Sequence, residues 1–323
     1  MAILYKYVEP DIGPNNKPKP LLVLESLRLI AADPCSFNDP FEVRPWYDQE
    51  RHDHSESSHE KLHRLFRGNG SQHQIGQDSL VGYPAELAAF NADNCHKKFQ
   101  QDISDRYRIL CLSRNPGSVL MWAHYAKCHK GIVIGIETSD PDFQTGLNPT
   151  GYNVEYDPDR SKIQLPVAYY RQPSVEMYDQ YGNVINHPDE EVESNAGLII
   201  PFREYRRQVE VAQLTALRTK AQDWGYEKET RFIYDLSIHS GKLTREESRH
   251  FVALPPNAIR EIIIGFCADL NLVKSIVGLY RDGRIGTPRL AYTECHPSQY
   301  EVLAHEADVN HLEAYFQHVR PNL

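Results

Sequence analysis

A membrane-spanning helix needs about 20 consecutive apolar residues, and no run in this 323-residue chain comes near that length. The opening MAILYKYVEP has no charged-then-apolar signal design either, so we expect a cytoplasmic protein with no membrane partner. Excess positive charge is also missing: the net formal charge is −9. Phosphate backbones are bound through clustered Lys and Arg, so this balance argues against indiscriminate nucleic-acid binding. FREYRRQ (202–208) is a local basic stretch, which on a helix reads as a solvated face.

Cysteine is sparse and scattered. Six residues over 323, without tight spacing, suit reduced thiols rather than a disulfide framework. Three stand in the adjacent pairs Cys95-His96, Cys128-His129 and Cys295-His296. Zinc ligands are usually spaced a few residues apart, and adjacent side chains diverge. His124 and Cys128 would share a helix face, but two ligands do not make a site, and no metal is expected. The chain also lacks GxxxxGK[ST], GxGxxG after a strand and GxSxG. Those gaps remove the common phosphate-loop, dinucleotide-fold and serine-hydrolase classes. Chemistry carried by an already activated substrate is left open.

What is present suits a globular chain with a sizeable core: 41% of residues are apolar and 24% are charged. AILYKYV (2–8) alternates and predicts a first strand, and GPNNKPKP (13–20) predicts a turn. LLVLESLRLI (21–30) predicts a short helix, and AADPCSFNDPFE (31–42) a loop structured by its turn chemistry. Residues 48–80, with RHDHSESSHEKLH at 51–63, read as a flexible polar insertion rather than a metal tract. A helix is predicted over 84–101, then a buried strand at RYRILCLSR (106–114), a helix at SVLMWAHYAK (118–127) and a buried strand at GIVIGIE (131–137). Further strands are predicted at 152–156, 230–236, 250–254 and 260–265, with a helical insertion over about 188–222. A helix at LNLVKSIVGLY (270–280) and a strand at RLAYTE (289–294) follow. This interleaving is too irregular for a βαβ rhythm, so the fold class is α+β in a single domain over 1–323.

Four constellations carry chemistry-bearing residues. Tyr5-Lys6-Tyr7 lies on the first strand, and SFNDPFE brings Asn38 and Asp39, which can cap turns, ahead of Glu42. CLSRNPGSVLMWAHYAKCHKGIVIGIE holds a strand ending at Ser113, then a helix with Met121 and Tyr125 four apart and Trp122 three before Tyr125. DWGYEKETRFIYDL (223–236) places Glu227 and Glu229 two apart; if both are extended, they share a face with Lys228 opposite. Singly, each has an ordinary structural reading as core aromatics, a turn or solvated charges.

In order, LYKY, FNDPFE, LMWAHYAKCHKG, K…WGYEKETR (from Lys220) and IREIIIG (259–265) resemble the bacterial domain-of-unknown-function family numbered 2971, over roughly residues 4 to 266. The layout is similar to that of ADP-ribosyltransferases. That resemblance implies an ADP-ribosyltransferase-like split β core with helical insertions, and NAD as substrate. It also implies transfer of ADP-ribose to an unknown acceptor (protein, nucleic acid or small molecule), as in a toxin or an anti-phage defence effector. By the same resemblance Glu229 is the main catalytic carboxylate and Glu227 its partner. The middle element is Ser113 or Tyr125, and the first is the LYKY strand. That strand carries neither Arg nor His, so Lys6 supplies the charge or a Tyr the stacking, and the middle motif is a lone Ser rather than Ser-Thr-Ser.

The residue types suit the chemistry. Breaking the nicotinamide–ribose bond passes through an oxocarbenium-like state that a nearby carboxylate stabilises, and a second carboxylate can orient a nucleophile. Tyr7, Trp122 or Trp224 can stack on nicotinamide or adenine. Lys6 or Arg231 can meet the pyrophosphate, with Asn38 and Asp39 at the same site. The alternatives are an NAD glycohydrolase, a non-catalytic regulatory or interaction protein, and a metal-dependent nucleic-acid-processing enzyme. The last needs a third carboxylate, Asp39 or Glu42.

Overall fold

Alternation along ILYKYV sets the architecture, because a strand sends successive side chains to opposite faces. Leu4 and Val8 join one hydrophobic core, and Tyr7 joins the other. The computed structural model describes residues 3–44, 92–139, 151–159, 191–193, 199–255 and 257–319; the segment 48–80 lies outside them.

The strands are β1 Ile3–Val8, β2 Arg28–Ala31, β3 Tyr107–Ser113, β4 Ile132–Glu137, β5 Gly151–Asn153, β6 Glu155–Asp157, β7 Glu191–Glu193, β8 Ile199–Pro201, β9 Thr219–Ala221, β10 Glu229–Asp235, β11 Thr244–Glu246, β12 Arg249–Ala253, β13 Ile259–Ile264, β14 Arg289–Cys295 and β15 Val302–Glu306. The α-helices are α1 Lys19–Ser26, α2 Ala92–Arg106, α3 Val119–Tyr125, α4 Phe202–Arg218, α5 Leu236–His239, α6 Leu270–Arg281 and α7 Val309–Ala314. This is a mixed α+β protein. No helix among the described residues is long and apolar enough to cross a membrane.

The chain divides into two compact units, one made of Met1–Glu42, Ile103–Pro158 and Arg218–Leu323, the other of Val43–Asp102 and Asp159–Leu217. The second contains the β7–β8 hairpin and most of α2 and α4. The first is built on an open eight-stranded sheet in the order β15-β14-β13-β4-β1-β3-β10-β5. Its neighbours are antiparallel except β13 and β14, which run parallel with α6 as their crossover. α6 suits that place: Asp269 caps its first turn, and Leu272, Val273, Ile276 and Val277 are buried along one stripe.

One sheet face, with Leu4, Val8, Leu110, Leu112, Ile134 and Ile262, belongs to a core shared with Leu24 of α1 and with α6. The other, with Tyr7, Val133, Ile263 and Ala291, packs against Met121, Trp122 and Ala126, from α3 and its end. Between β1 and β3 the ladder is reduced to the single pair Tyr5 and Ser113. Further along that edge of β3, the Lys6 ammonium reaches the Cys111 carbonyl (3.2 Å). Ile109 then exchanges both backbone hydrogen bonds with Ala32 (2.8 and 2.9 Å). Ala32 follows β2, the edge strand of a three-stranded sheet, β11-β12-β2.

Local backbone choices explain two departures from the sequence reading. The predicted helix at 21–30 stops at Ser26, because Leu27 adopts a left-handed conformation (φ 50°) and Arg28–Ala31 pairs with β12. α3 likewise ends at Tyr125 rather than 127, and Lys127, Cys128 and His129 are all left-handed (φ 48°, 53° and 62°). His124 and Cys128 therefore do not share a helix face. A left-handed non-glycine residue costs roughly 1–2 kcal/mol, so three in a row must be held from outside. The Cys128 and His129 amides bond back to Ala123 and Trp122 (3.1 and 3.2 Å). The His129 ring stacks on Trp122 (5.5 Å, 7°) and lies against Phe266 (4.5 Å).

The backbone after β13 also passes close: the Cys267 amide bonds the His129 carbonyl at 2.9 Å, and a Cβ placed on Gly265 would lie 2.2 Å from that oxygen. Gly265→Ala is therefore expected to destabilise the fold by about 1–3 kcal/mol, the usual cost of overpacking. A chemical-denaturation midpoint unchanged from wild type would contradict this close crossing.

Candidate functional site

Register places the carboxylates before any side chain is considered. Tyr5, Ser113 and Glu229 stand abreast on β1, β3 and β10, and Arg231 pairs with Cys111 one step inward. These residues share the sheet face that α3 covers, and Lys6, one position off, leaves on the opposite face. Glu227 arrives differently from the sequence expectation. Residues Gln222–Glu227 form a 3-10 turn, and Lys228 is left-handed (φ 44°, ψ 48°), so the two carboxylates are not neighbours along one extended strand. They converge because the turn folds Glu227 back over the start of β10. Ser113 fastens it there, donating from Oγ to the Glu227 carbonyl (2.6 Å).

The result is a buried five-membered ionic cluster. Arg231 grips Glu229 with two hydrogen bonds of 3.0 Å each, from Nε and Nη2, and Nη2 also donates to Glu42 Oε1. Lys220, on β9, donates to Glu227 Oε2 at 2.7 Å and lies 3.7 Å from Glu42 and 3.8 Å from Glu229. The five side chains are between 1% and 8% exposed. Tyr125 on α3 donates to the other Glu227 oxygen, Oε1, at 2.5 Å, and accepts from Asn38 Nδ2 at 3.3 Å. The Tyr156 hydroxyl accepts from the Glu229 amide (2.7 Å), and burial pushes that phenol up to about 12.

Three carboxylates face two cations, and burial opposes every charge. Burial pushes the Glu229 carboxyl up, but the Arg231 guanidinium and the Lys220 ammonium outweigh it and hold the group at about 2. Burial wins at Glu42: its carboxyl lies above the usual range although Arg231 and Lys220 pull it down. The difference follows from geometry, since Arg231 makes two bonds to Glu229 and one to Glu42. Burial lowers Lys220, and the charges of Glu42, Glu229 and Glu227 more than restore it.

The remaining candidates fall at three places. Trp224 and Tyr226, on the same turn as Glu227, are half-buried beside the cluster, with Lys220 Nζ 4.5 Å from the Trp224 ring and the two rings 6.0 Å apart. Asn38 is exposed, whereas Asp39 is buried and turns the loop by accepting from the Phe41 amide (2.9 Å). Tyr7 and Trp122 form the core under α3. Trp122 is fully enclosed and donates to the Pro116 carbonyl (2.8 Å), and Tyr7 meets it edge-on and donates to the Asn115 carbonyl (2.8 Å).

Two members of the cluster were not singled out for it from sequence. Lys220 appeared only as the residue opening the motif K…WGYEKETR, and Glu42 only as a possible third carboxylate for a metal. Their one signal is membership of the motifs FNDPFE and K…WGYEKETR; no periodicity links residues 42, 220 and 231. Side-chain cations hold the space among these carboxylates, and no group of three or more His, Cys, Asp or Glu suited to a metal ion occurs among the described residues.

A family model described as "Protein of unknown function (DUF2971)" matches residues 121–232. This supports the family resemblance read from the sequence. The matched segment contains Tyr125, Lys220, Glu227, Glu229 and Arg231, and stops short of Glu42. Comparison with curated proteins and with solved structures found no match.

Breaking a buried ion pair from one side leaves an uncompensated charge and costs about 3–5 kcal/mol. Glu229→Gln is expected to lose that much in urea unfolding at pH 7, and Glu42→Gln less, because Arg231 makes two hydrogen bonds to Glu229 and one to Glu42. Glu229 is held below its ordinary 4.5, so its contribution is present above pH 4.5 and is lost as pH falls toward 2. Stability measured from pH 6 down to 2 should fall more steeply in wild type than in Glu229→Gln.

Proposed function

We propose that the protein is an NAD-dependent ADP-ribosyltransferase-like enzyme in which Glu227 is the carboxylate that meets the substrate. One observation carries this reading. Glu227 lies at the end of the cluster where the half-buried rings of Tyr125, Trp224 and Tyr226 and the exposed Asn38 gather. Its partner Glu229 is committed to Arg231 and serves as an anchor. In the reaction the C1′–nitrogen bond of the nicotinamide riboside breaks and its electron pair leaves with nicotinamide. The carboxylate stabilises the oxocarbenium-like ribose. An acceptor, or water in the glycohydrolase variant, then forms the new bond to C1′ and gives up its proton. The aromatic rings beside Glu227 suit a stacked nicotinamide.

A second reading is favoured by the exposure of the five ionic side chains, 8% or less. In it the cluster has no catalytic role and ties the FNDPFE loop to the sheet of a regulatory or interaction protein. Incubation with labelled NAD, with and without cell extract, separates the two. The enzyme reading expects nicotinamide release and label transfer, falling by about 10²-fold or more in Glu227→Gln. Absence of release, transfer and any NAD-induced thermal shift would leave the structural reading standing.

A further inference from the structure

Both oxygens of Glu227 are already taken in the free protein. Oε2 receives Lys220 from inside the cluster (2.7 Å), and Oε1 receives the Tyr125 hydroxyl from the outer side (2.5 Å). The two partners differ in kind. Lys220 is itself held among Glu42, Glu229 and Glu227 with its side chain 4% exposed, so its bond belongs to the fold. Tyr125 is half-buried on the short helix α3, and its hydroxyl is met from outside by Asn38, an exposed residue on a separate loop. A substrate hydroxyl approaching Glu227 from that side needs the position Tyr125 fills.

Resting on the NAD reading above, we infer that the Tyr125 hydroxyl is an internal stand-in for a substrate hydroxyl. The free site is closed by its own side chain, and the ligand class it takes is a sugar that presents a hydroxyl donor to Glu227 Oε1. The exchange is balanced: one O–H donor to a carboxylate oxygen replaces another, and the displaced tyrosine hydroxyl turns to water or to Asn38. Hydrogen bonds to an ionised carboxylate are among the stronger ones, and a buried oxygen left without a donor is costly. Removing the tyrosine hydroxyl thus leaves an oxygen that a ligand hydroxyl can satisfy, with no internal competitor.

The test compares wild type, Tyr125→Phe and Asn38→Ala by calorimetric titration with NAD and with an NAD analogue whose nicotinamide-side ribose lacks its 2′ and 3′ hydroxyls. Phe keeps the packing of the ring, and Asn38→Ala changes only an exposed contact, so a folding defect in one leaves the other readable. We expect Tyr125→Phe to bind NAD about 10-fold more tightly than wild type, a hydrogen-bond-sized effect. Asn38→Ala should shift the same way by less, and the dideoxy analogue should gain nothing. If both variants bind NAD no better than wild type, while wild type binds NAD and releases nicotinamide, the stand-in role is overturned and the NAD reading survives. If none of the three binds NAD, the NAD reading fails and this inference with it.

Discussion

Arg231 and Lys220 hold three carboxylates from two distant parts of the chain: one at the end of the FNDPFE loop, and two flanking the start of β10, on the turn before it and at its first residue. Charges removed from water are tolerated only when each meets its partners at close range. The loop, β9, the turn and β10 must therefore be in place together, or one ion is left buried alone. The imbalance of two cations against three carboxylates is resolved unequally. Glu229 takes the bidentate grip and stays ionised, while burial raises Glu42.

The cluster depends in turn on how α3 is set against the sheet. Trp122 anchors that helix in the core, and the left-handed run Lys127–His129 ends it within one turn of Tyr125. Gly265 lets the chain after β13 cross under His129. These contacts fix where the Tyr125 hydroxyl lies, and hence which oxygen of Glu227 it reaches. The strained LMWAHYAKCHKG segment and the polar cluster are thus parts of one arrangement. The helix carries the aromatic partner, and the turn behind it supplies the rigidity.

Much of the sheet was legible. The strands around 2–8, 106–114, 131–137, 230–236 and 260–265 and the helix at 270–280 fall where their patterns place them, because buried strands and an amphipathic helix leave a strong local periodicity. The misses have local causes as well. Leu27 and Lys228 enter the left-handed region, which propensity does not foresee in a non-glycine residue, and the short strands β11 and β15 leave little pattern of their own. For the site, spacing brought Glu227 and Glu229 to attention for the wrong geometric reason. They are joined by a folded-back turn, not by a shared strand face.

By itself the sequence determined the α+β class, the main core strands and the motifs in which the polar residues lie, since those follow from local periodicity and composition. Only the tertiary structure decided that Glu42, 189 residues from Arg231, shares its guanidinium, and that Lys220 stands among three carboxylates. It also decided that Tyr7 and Trp122 are core while Tyr125 meets Glu227. Strand register and the packing of α3 set these outcomes, because pairings between distant segments exist only once the chain has closed on itself.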